Sequence, residues 1–318
     1  MNIAAVKMDS DQVCTSVQEI PSGVVVACES DVYGLAQRTL ASELNSQGIS
    51  VHSGETATMR IKPALANKGI VFITQAGTPI PATIDHLVAN PYGLSTIIGF
   101  GDESVSTIEH LMAAFAACGI DNAEIYLDGT ELPIMDGSAQ PFVDEFLRCG
   151  FIQQNVQRKF LRITESFTYH GKDGQWVRFD PLNDDKIGQV EVAVDYMAVI
   201  PKIGQQSLKL PLAPKVLREE LMNSRTFGLE SERIKFQSVA KGLGASCSNV
   251  VIYDGDVILN PEGLRCADEA VRHKTLDLIG DLYLAGWPLL GHISAFRPSH
   301  RGNAEALREL LQSDCFTL

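Results

Sequence analysis

In VRHKTLDLIGDLYLAG, residues 271–286, His273, Asp277 and Asp281 recur in steps of four. A helix turns about 100° per residue, so each step advances about 40° and the three side chains share one stripe. An imidazole and a carboxylate four residues apart can reach one ion from that stripe. Val271, Leu276, Leu278, Ile279, Leu282 and Tyr283 cover much of the opposite side, as a docked helix requires. By spacing alone, a solvated charged face explains the stripe as well as a metal site does. Catalytic zinc takes three protein ligands and keeps a position for water, and His110 in STIEHLMAAFAAC is the natural third ligand. Glu109 beside it is explained without any chemistry as the last member of a capping box Ser106-Thr107-Ile108-Glu109.

His300 stands in FRPSHRGN, where Pro, Ser, Gly and Asn predict an exposed loop. A carboxylate such as Asp281, brought against it, would orient the ring and raise its pKa, making a charged donor or general acid. Thr226 and Phe227 lie in NSRTFGLESER, which reads as a polar helix exit broken at Gly228.

These residues need elements to carry them. Short strand-like runs recur (GIVFIT, AEIYLD, FLRITESFTYH, QWVRFDPL, GQVEVAVDY, NVVIYDGDVIL, GHISAF), and YDGD predicts a tight hairpin turn. STIEHLMAAFAAC, SAQPFVDEFLRC, APKVLREELMNS and the stretch from 271 predict helices, the first two closing at Gly119 and Gly150. Hairpin-joined strands with helices interspersed, not alternating, indicate an α+β fold. The polar stretch QQNVQRK, 153–159, is the expected boundary between domains at 37–155 and 156–318, with residues 1–36 an extension of unassigned role.

A formal net charge of −13 argues against a nucleic-acid partner, since phosphate binding rests on clustered Lys and Arg. The seven cysteines are scattered, with no C-x-x-C pair, which suits a reducing cytoplasm. No apolar run is long enough to span a bilayer, and MNIAAVKMDSDQ is a poor secretory signal. The expectation is a cytoplasmic protein without an integral membrane segment, acting on a small molecule.

Four separated motifs, STIEHL, LPIMDGSA, SRTFG and VRHKTLDLIGDL, together resemble the UDP-3-O-acyl-N-acetylglucosamine deacetylase family, zinc enzymes of lipid A biosynthesis, over about residues 37–312. The resemblance implies two similar domains, each a β-sheet layered with helices, with the helices packed together between the sheets. It implies zinc (Zn2+) as cofactor on His110, His273 and Asp277, Glu109 as general base, His300 steadied by Asp281 as second catalytic group, and Thr226 stabilising the transition state. Lys274 is implied near the sugar nucleotide, and His52, Lys159, Phe179 and Phe227 on the substrate. An insert at about 227–250 is implied, where Ile234, Phe236, Val239 and Leu243 either line a passage for the acyl chain or form an ordinary buried helix face.

The activity so implied is removal of the N-acetyl group from an acylated UDP-sugar, giving acetate and the free amine, by a monomer. Two alternatives belong beside it: a non-catalytic or regulatory zinc-binding relative, and a zinc amidohydrolase with another N-acyl substrate. The first is prompted by PSHRGNAEAL, which departs from the family's usual loop by placing Ser299 where Gly is expected and Arg301 after the histidine.

Overall fold

The computed structural model describes residues 33–182 and 187–318 and the backbone of 19–20 and 24–25. Most of the expected N-terminal extension therefore lies outside the described residues. Two five-stranded sheets carry the architecture. The first contains β1 (Leu44–Ile49), β2 (Thr56–Pro63), β3 (Ile70–Ile73), β4 (Pro79–Pro81) and β5 (Ala123–Leu127), in the order β1-β2-β5-β3-β4. The second contains β6 (Phe167–His170), β7 (Trp176–Asp180), β8 (Gln189–Asp195), β9 (Gln205–Pro211) and β10 (His292–Phe296), in the order β6-β7-β10-β8-β9.

The two orders are the same. In each sheet the last strand enters the middle, antiparallel to the second strand and parallel to the third. Each last strand also lies between two helices in sequence: α1 (Glu109–Cys118) and α2 (Gln140–Cys149) flank β5. After α3 (Pro214–Glu220) and α4 (Glu230–Gln237), α5 (Glu269–Leu282) and α6 (His300–Leu311) flank β10. The chain is thus two copies of one α+β topology, each with an insertion before its first flanking helix.

Alternation explains how each sheet docks. Along β2, Ala57, Met59 and Ile61 are buried while their neighbours face out, and along β8 Val190, Val192 and Val194 do the same. The inner faces and the helices of both halves join one continuous core, with Phe115 of α1 stacked on Phe146 of α2 at 5.0 Å. Every residue of α1 is buried, which its all-round apolar sequence anticipates. Alanines at 113, 114, 116 and 117 let it lie close to its neighbours.

Several sequence expectations change. The polar stretch 153–159 begins inside strand Phe151–Gln157, which pairs with Ala36–Leu40, so the chain leaves the first half after Gln157. The capping box is not formed. Ile108 is the N-cap without a side-chain bond, Thr107 sits at φ 61°, and the chain turns there from strand Glu103–Ser106 into α1. A β-branched residue at positive φ costs about 1–3 kcal/mol and persists only where surroundings hold it. Here the Thr107 N–H donates to the Thr96 carbonyl and its hydroxyl to Glu131. At YDGD the hairpin forms as expected, with Gly255 at φ 58° between paired Asp254 and Val257.

Candidate active site

Helix α1 of the first half crosses α5 of the second, and the crossing decides the meaning of the charged stripe. His273, Asp277 and Asp281 are at most 2% exposed, so they face the interior and not solvent. Gly280 permits the close approach: a Cβ there would lie 2.0 Å from the Glu109 carbonyl oxygen. That contact puts His110, at the start of α1, opposite the His273 and Asp277 turn of α5.

His110 Nε2 lies 3.6 Å from Asp277 Oδ1, and His273 Nε2 lies 3.3 Å from the same oxygen. Ligand atoms about 2.0–2.1 Å from a tetrahedral ion are separated by roughly 3.3 Å, so the three atoms fit one ion. Two further observations support the fit. Asp277 Oδ1 is buried with no hydrogen-bond partner among the described residues, while Oδ2 accepts from Lys274 Nζ at 2.7 Å. His273 Nδ1 faces the Ser224 carbonyl at 3.0 Å, which holds the proton on Nδ1 and leaves the Nε2 lone pair for a metal. Burial, opposed by Asp277, keeps that ring neutral, with its pKa pushed down to about 4. His110, His273 and Asp277 therefore form a group that can hold a metal ion.

Beside the ligands stand two proton-handling groups. Glu109 is 3% exposed, and burial raises its pKa against the pull of His300 and His110. Its Oε2 accepts from the Thr96 N–H at 3.0 Å, and its Oε1 lies 3.7 Å from His300 Nε2. His300 is not in an exposed loop. It is the first residue of α6, whose N-cap Ser299 accepts from the Gly302 N–H through its hydroxyl, so Pro, Gly and Asn here disguise a helix start. His300 Nδ1 meets Asp281 Oδ2 at 3.0 Å. Burial acts to lower its pKa, but Asp281, Glu109 and Asp277 outweigh it and raise it to about 9, so the ring is cationic at neutral pH.

A cavity of about 340 Å³ opens on this cluster and takes residues from both halves. Thr226, Phe227, Lys274 and His52 all line it. The segment at Thr226 is no helix exit. Thr226 donates its N–H to the Gly137 carbonyl, accepts from the Val251 N–H, and leads into strand Phe227–Leu229, of which Gly228 is a member. Gly137 has φ 87°, and a Cβ on it would meet the Asn249 carbonyl oxygen at 1.9 Å, which accounts for glycine in MDG. Arg225, 2% exposed, donates from Nε to Glu269 in the first turn of α5, tying the Thr226 segment to the ligand helix. Lys274 lines the cavity and also braces Asp277; burial lowers its pKa, and Asp277 with Tyr196 more than restores it, so it stays charged.

His52 rides on a turn whose N–H groups at 52 and 53 are both held by Glu131, at 2.8 and 2.9 Å. Burial lowers the pKa of its ring. Two expected substrate residues are not brought to the cavity. Phe179 is fully buried in the second sheet beside Phe167, because its register on β7 points it into the core. Lys159 is exposed and does not line the cavity. Of the insert residues, Phe236 lines the cavity, whereas Ile234, Val239 and Leu243 are 49–58% exposed at its outside. An ordinary buried face on α4 is thereby excluded.

Sequence reasoning missed Thr96, Ser224, Asn303 and Glu131. Asn303 had a usable signal, since it lies one helical turn after His300, but only once PSHRGN is read as a helix start. The other three act across long sequence separations and carry no local pattern.

A family model described as UDP-3-O-acyl N-acetylglycosamine deacetylase matches residues 37–312. Relatives named UDP-3-O-acyl-N-acetylglucosamine deacetylase include one from Acidithiobacillus ferrooxidans, 41% identical over 87% of this chain and 90% of its own length. Another, from Geobacter sp. (strain M21), is 40% identical over 89% and 91%. One from Chromobacterium violaceum is 36% identical over 88% and 91%.

Proposed function

Because the chain belongs to the UDP-3-O-acyl N-acetylglycosamine deacetylase family, we propose that its inter-helix cavity hydrolyses the N-acetyl group of a UDP-3-O-acyl-N-acetylglucosamine in lipid A biosynthesis. The observation that carries this reading is the convergence of His110 Nε2, His273 Nε2 and Asp277 Oδ1 beside a buried glutamate and a cationic histidine. Zinc is the ion we assign, since two imidazoles and one carboxylate with a position left open are a donor set of catalytic zinc. Bound there, it supplies Lewis acidity toward water and the acetamide carbonyl.

The protein's own groups do the rest. Glu109, with Oε2 held by the Thr96 N–H, has Oε1 free to take a proton from the attacking water. Its raised pKa brings it toward the working range of a base that must later release that proton. Negative charge developing on the acetamide oxygen is met by the cationic His300, whose Nε2 is free while Nδ1 is held by Asp281, and by Thr226 on the cavity wall. As the C–N bond breaks, the amine must gain a proton, and Glu109 and His300 both hold one facing the cavity. Acetate and the free amine leave.

His52 and Phe227 line the cavity and are assigned to the substrate, Phe227 with its ring 6.1 Å from that of His273, and Phe236 lines the cavity as well. Lys159 and Phe179 are not. The altered His300 segment, which prompted a non-catalytic reading, ends in a capped helix that presents the ring to Asp281, so that motive falls away. The repeated topology supports two α+β domains, and a monomer is the state we assign. No helix among the described residues is long and apolar enough to cross a membrane. We assign a cytoplasmic location, with which the free cysteines at 118, 149, 247, 266 and 315 accord. Purified protein is expected to hold about one zinc per chain and to release acetate from the acylated UDP-sugar but hardly from a short N-acetyl sugar. Equal activity on both substrates, or full activity without metal, overturns the reading.

A further inference from the structure

One residue outside the ligand set touches both proton-handling arms of the site. Thr96 is 3% exposed and enters strand Ile97–Phe100 in the first half. Its N–H donates to Glu109 Oε2 at 3.0 Å, and its hydroxyl donates to Asp281 Oδ1 of the second half at 2.5 Å. The other oxygen of Asp281 accepts from Asn303 Nδ2 at 2.9 Å and faces His300 Nδ1 at 3.0 Å. A carboxylate bound through one oxygen alone can swivel about its last bond. Bound through both, it presents a fixed edge to the imidazole.

We propose that Thr96 is a positioning residue of the deacetylation, its hydroxyl locking the Asp281 carboxylate so that His300 Nε2 is aimed at the cavity, in register with the glutamate its own N–H holds. This rests on the deacetylase reading. Any residue type but proline offers the N–H; only the hydroxyl requires threonine or serine, so the residue's identity is explained by Asp281 and not by Glu109. Release of the lock lets the His300 ring drift relative to Glu109 Oε1, now 3.7 Å from Nε2. Misplacement of a reacting group by 1 Å costs about 100-fold in rate, and loss of one hydrogen bond to a charged group about 10- to 100-fold. Thr96 itself does not line the cavity, so the loss is expected to fall on turnover and to spare binding.

The test compares zinc-loaded wild type, Thr96→Val and Thr96→Ser on the acylated UDP-sugar. Thr96→Val is expected to lower kcat about 10- to 100-fold with KM within about threefold of wild type, and Thr96→Ser to return kcat to within about threefold. Zinc content is expected to stay near wild type in both and the melting temperature of Thr96→Val to fall by no more than about 10 °C, which separates a lost lock from a lost site. A Thr96→Val enzyme with wild-type kcat, or a Thr96→Ser enzyme as slow as Thr96→Val, overturns the proposal. Should Thr96→Val not fold, Thr96→Ala, which only removes atoms, takes its place with the same expectations. Wild type that releases no acetate overturns the deacetylase reading instead.

Discussion

Replacing Gly280 by alanine sets two effects of opposite sign against each other. In a helix interior alanine is favoured over glycine by about 1 kcal/mol, so propensity alone predicts a more stable protein. The contact predicts the reverse. The new Cβ would lie 2.0 Å from the Glu109 carbonyl oxygen, 2.9 Å from its carbon and 3.1 Å from the Ala113 nitrogen. A carbon–oxygen contact needs about 3.3 Å, so α1 and α5 must part by roughly 1 Å, and such overpacking costs about 1–3 kcal/mol. The net is a loss of about 0–2 kcal/mol, modest for a chain with so large a core. The site suffers more than the fold. His110 moves with α1, His273 and Asp277 stay with α5, and metal–ligand distances tolerate only about 0.2 Å. Gly280→Ala is therefore expected to bind zinc at least about 10-fold more weakly and to lose about 100-fold in kcat, while remaining folded. Dialysis against a graded chelator measures the first and acetate release the second. Gly129→Ala is the control, since nothing lies within 4 Å of its added carbon. A folded Gly280→Ala protein with wild-type zinc affinity and turnover would refute the claim that this crossing sets the ligand spacing.

Other expectations concern single groups. Glu109→Gln should keep zinc but lose about 100- to 10,000-fold in kcat, and a variant that stays fast removes Glu109 from the mechanism. Chelation should abolish activity and lower the melting temperature, both restored by zinc; a melting temperature indifferent to the ion would count against a buried ligand set. Ser299→Ala, which deletes the α6 cap, should cost about 1 kcal/mol in denaturant unfolding, whereas Ser299→Gly should cost a few tenths; equal losses would deny the cap. Glu269 is raised by burial but held below its ordinary range by the bonds from Arg225 and Arg265, so its folded pKa is depressed. Its contribution to stability is then present above the unfolded value of about 4.3 and fades as pH falls through the folded one. The melting temperature of Glu269→Gln should therefore decline less steeply than that of wild type below about pH 4.3, and parallel declines would contradict this.

How much of the site could be read in advance depends on how local each relation is. His273 and Asp277 lie on one helix, so their spacing carried the metal hypothesis, and Glu109 and His110 are adjacent. What spacing could not decide was whether that stripe faced water. A charged helical face resembles a buried ligand set until a second helix covers it, and α1 is distant in sequence. The strand runs and both helix-closing glycines at 119 and 150 were legible because alternation and C-caps are local. The repeated strand order was not, since it lies in pairings and leaves no period in the sequence. The helix start at His300 is hidden because Ser, Gly and Asn favour turns and caps alike, and the inward face of Phe179 because a motif position does not say which side of a strand a ring occupies.

The repeated topology has a consequence for assembly. The first half contributes one imidazole to the ligand set, His110, and the second an imidazole and one carboxylate, His273 and Asp277, so neither half alone has the denticity to chelate zinc strongly. A bound ion is then a bridge between two folding units, and its binding free energy counts directly against their separation. Turnover becomes an all-or-none property of the docked pair. Two co-expressed fragments severed after Gln157 would regain activity only in proportion to the ternary complex they form with the ion, each fragment acting as half of a chelator.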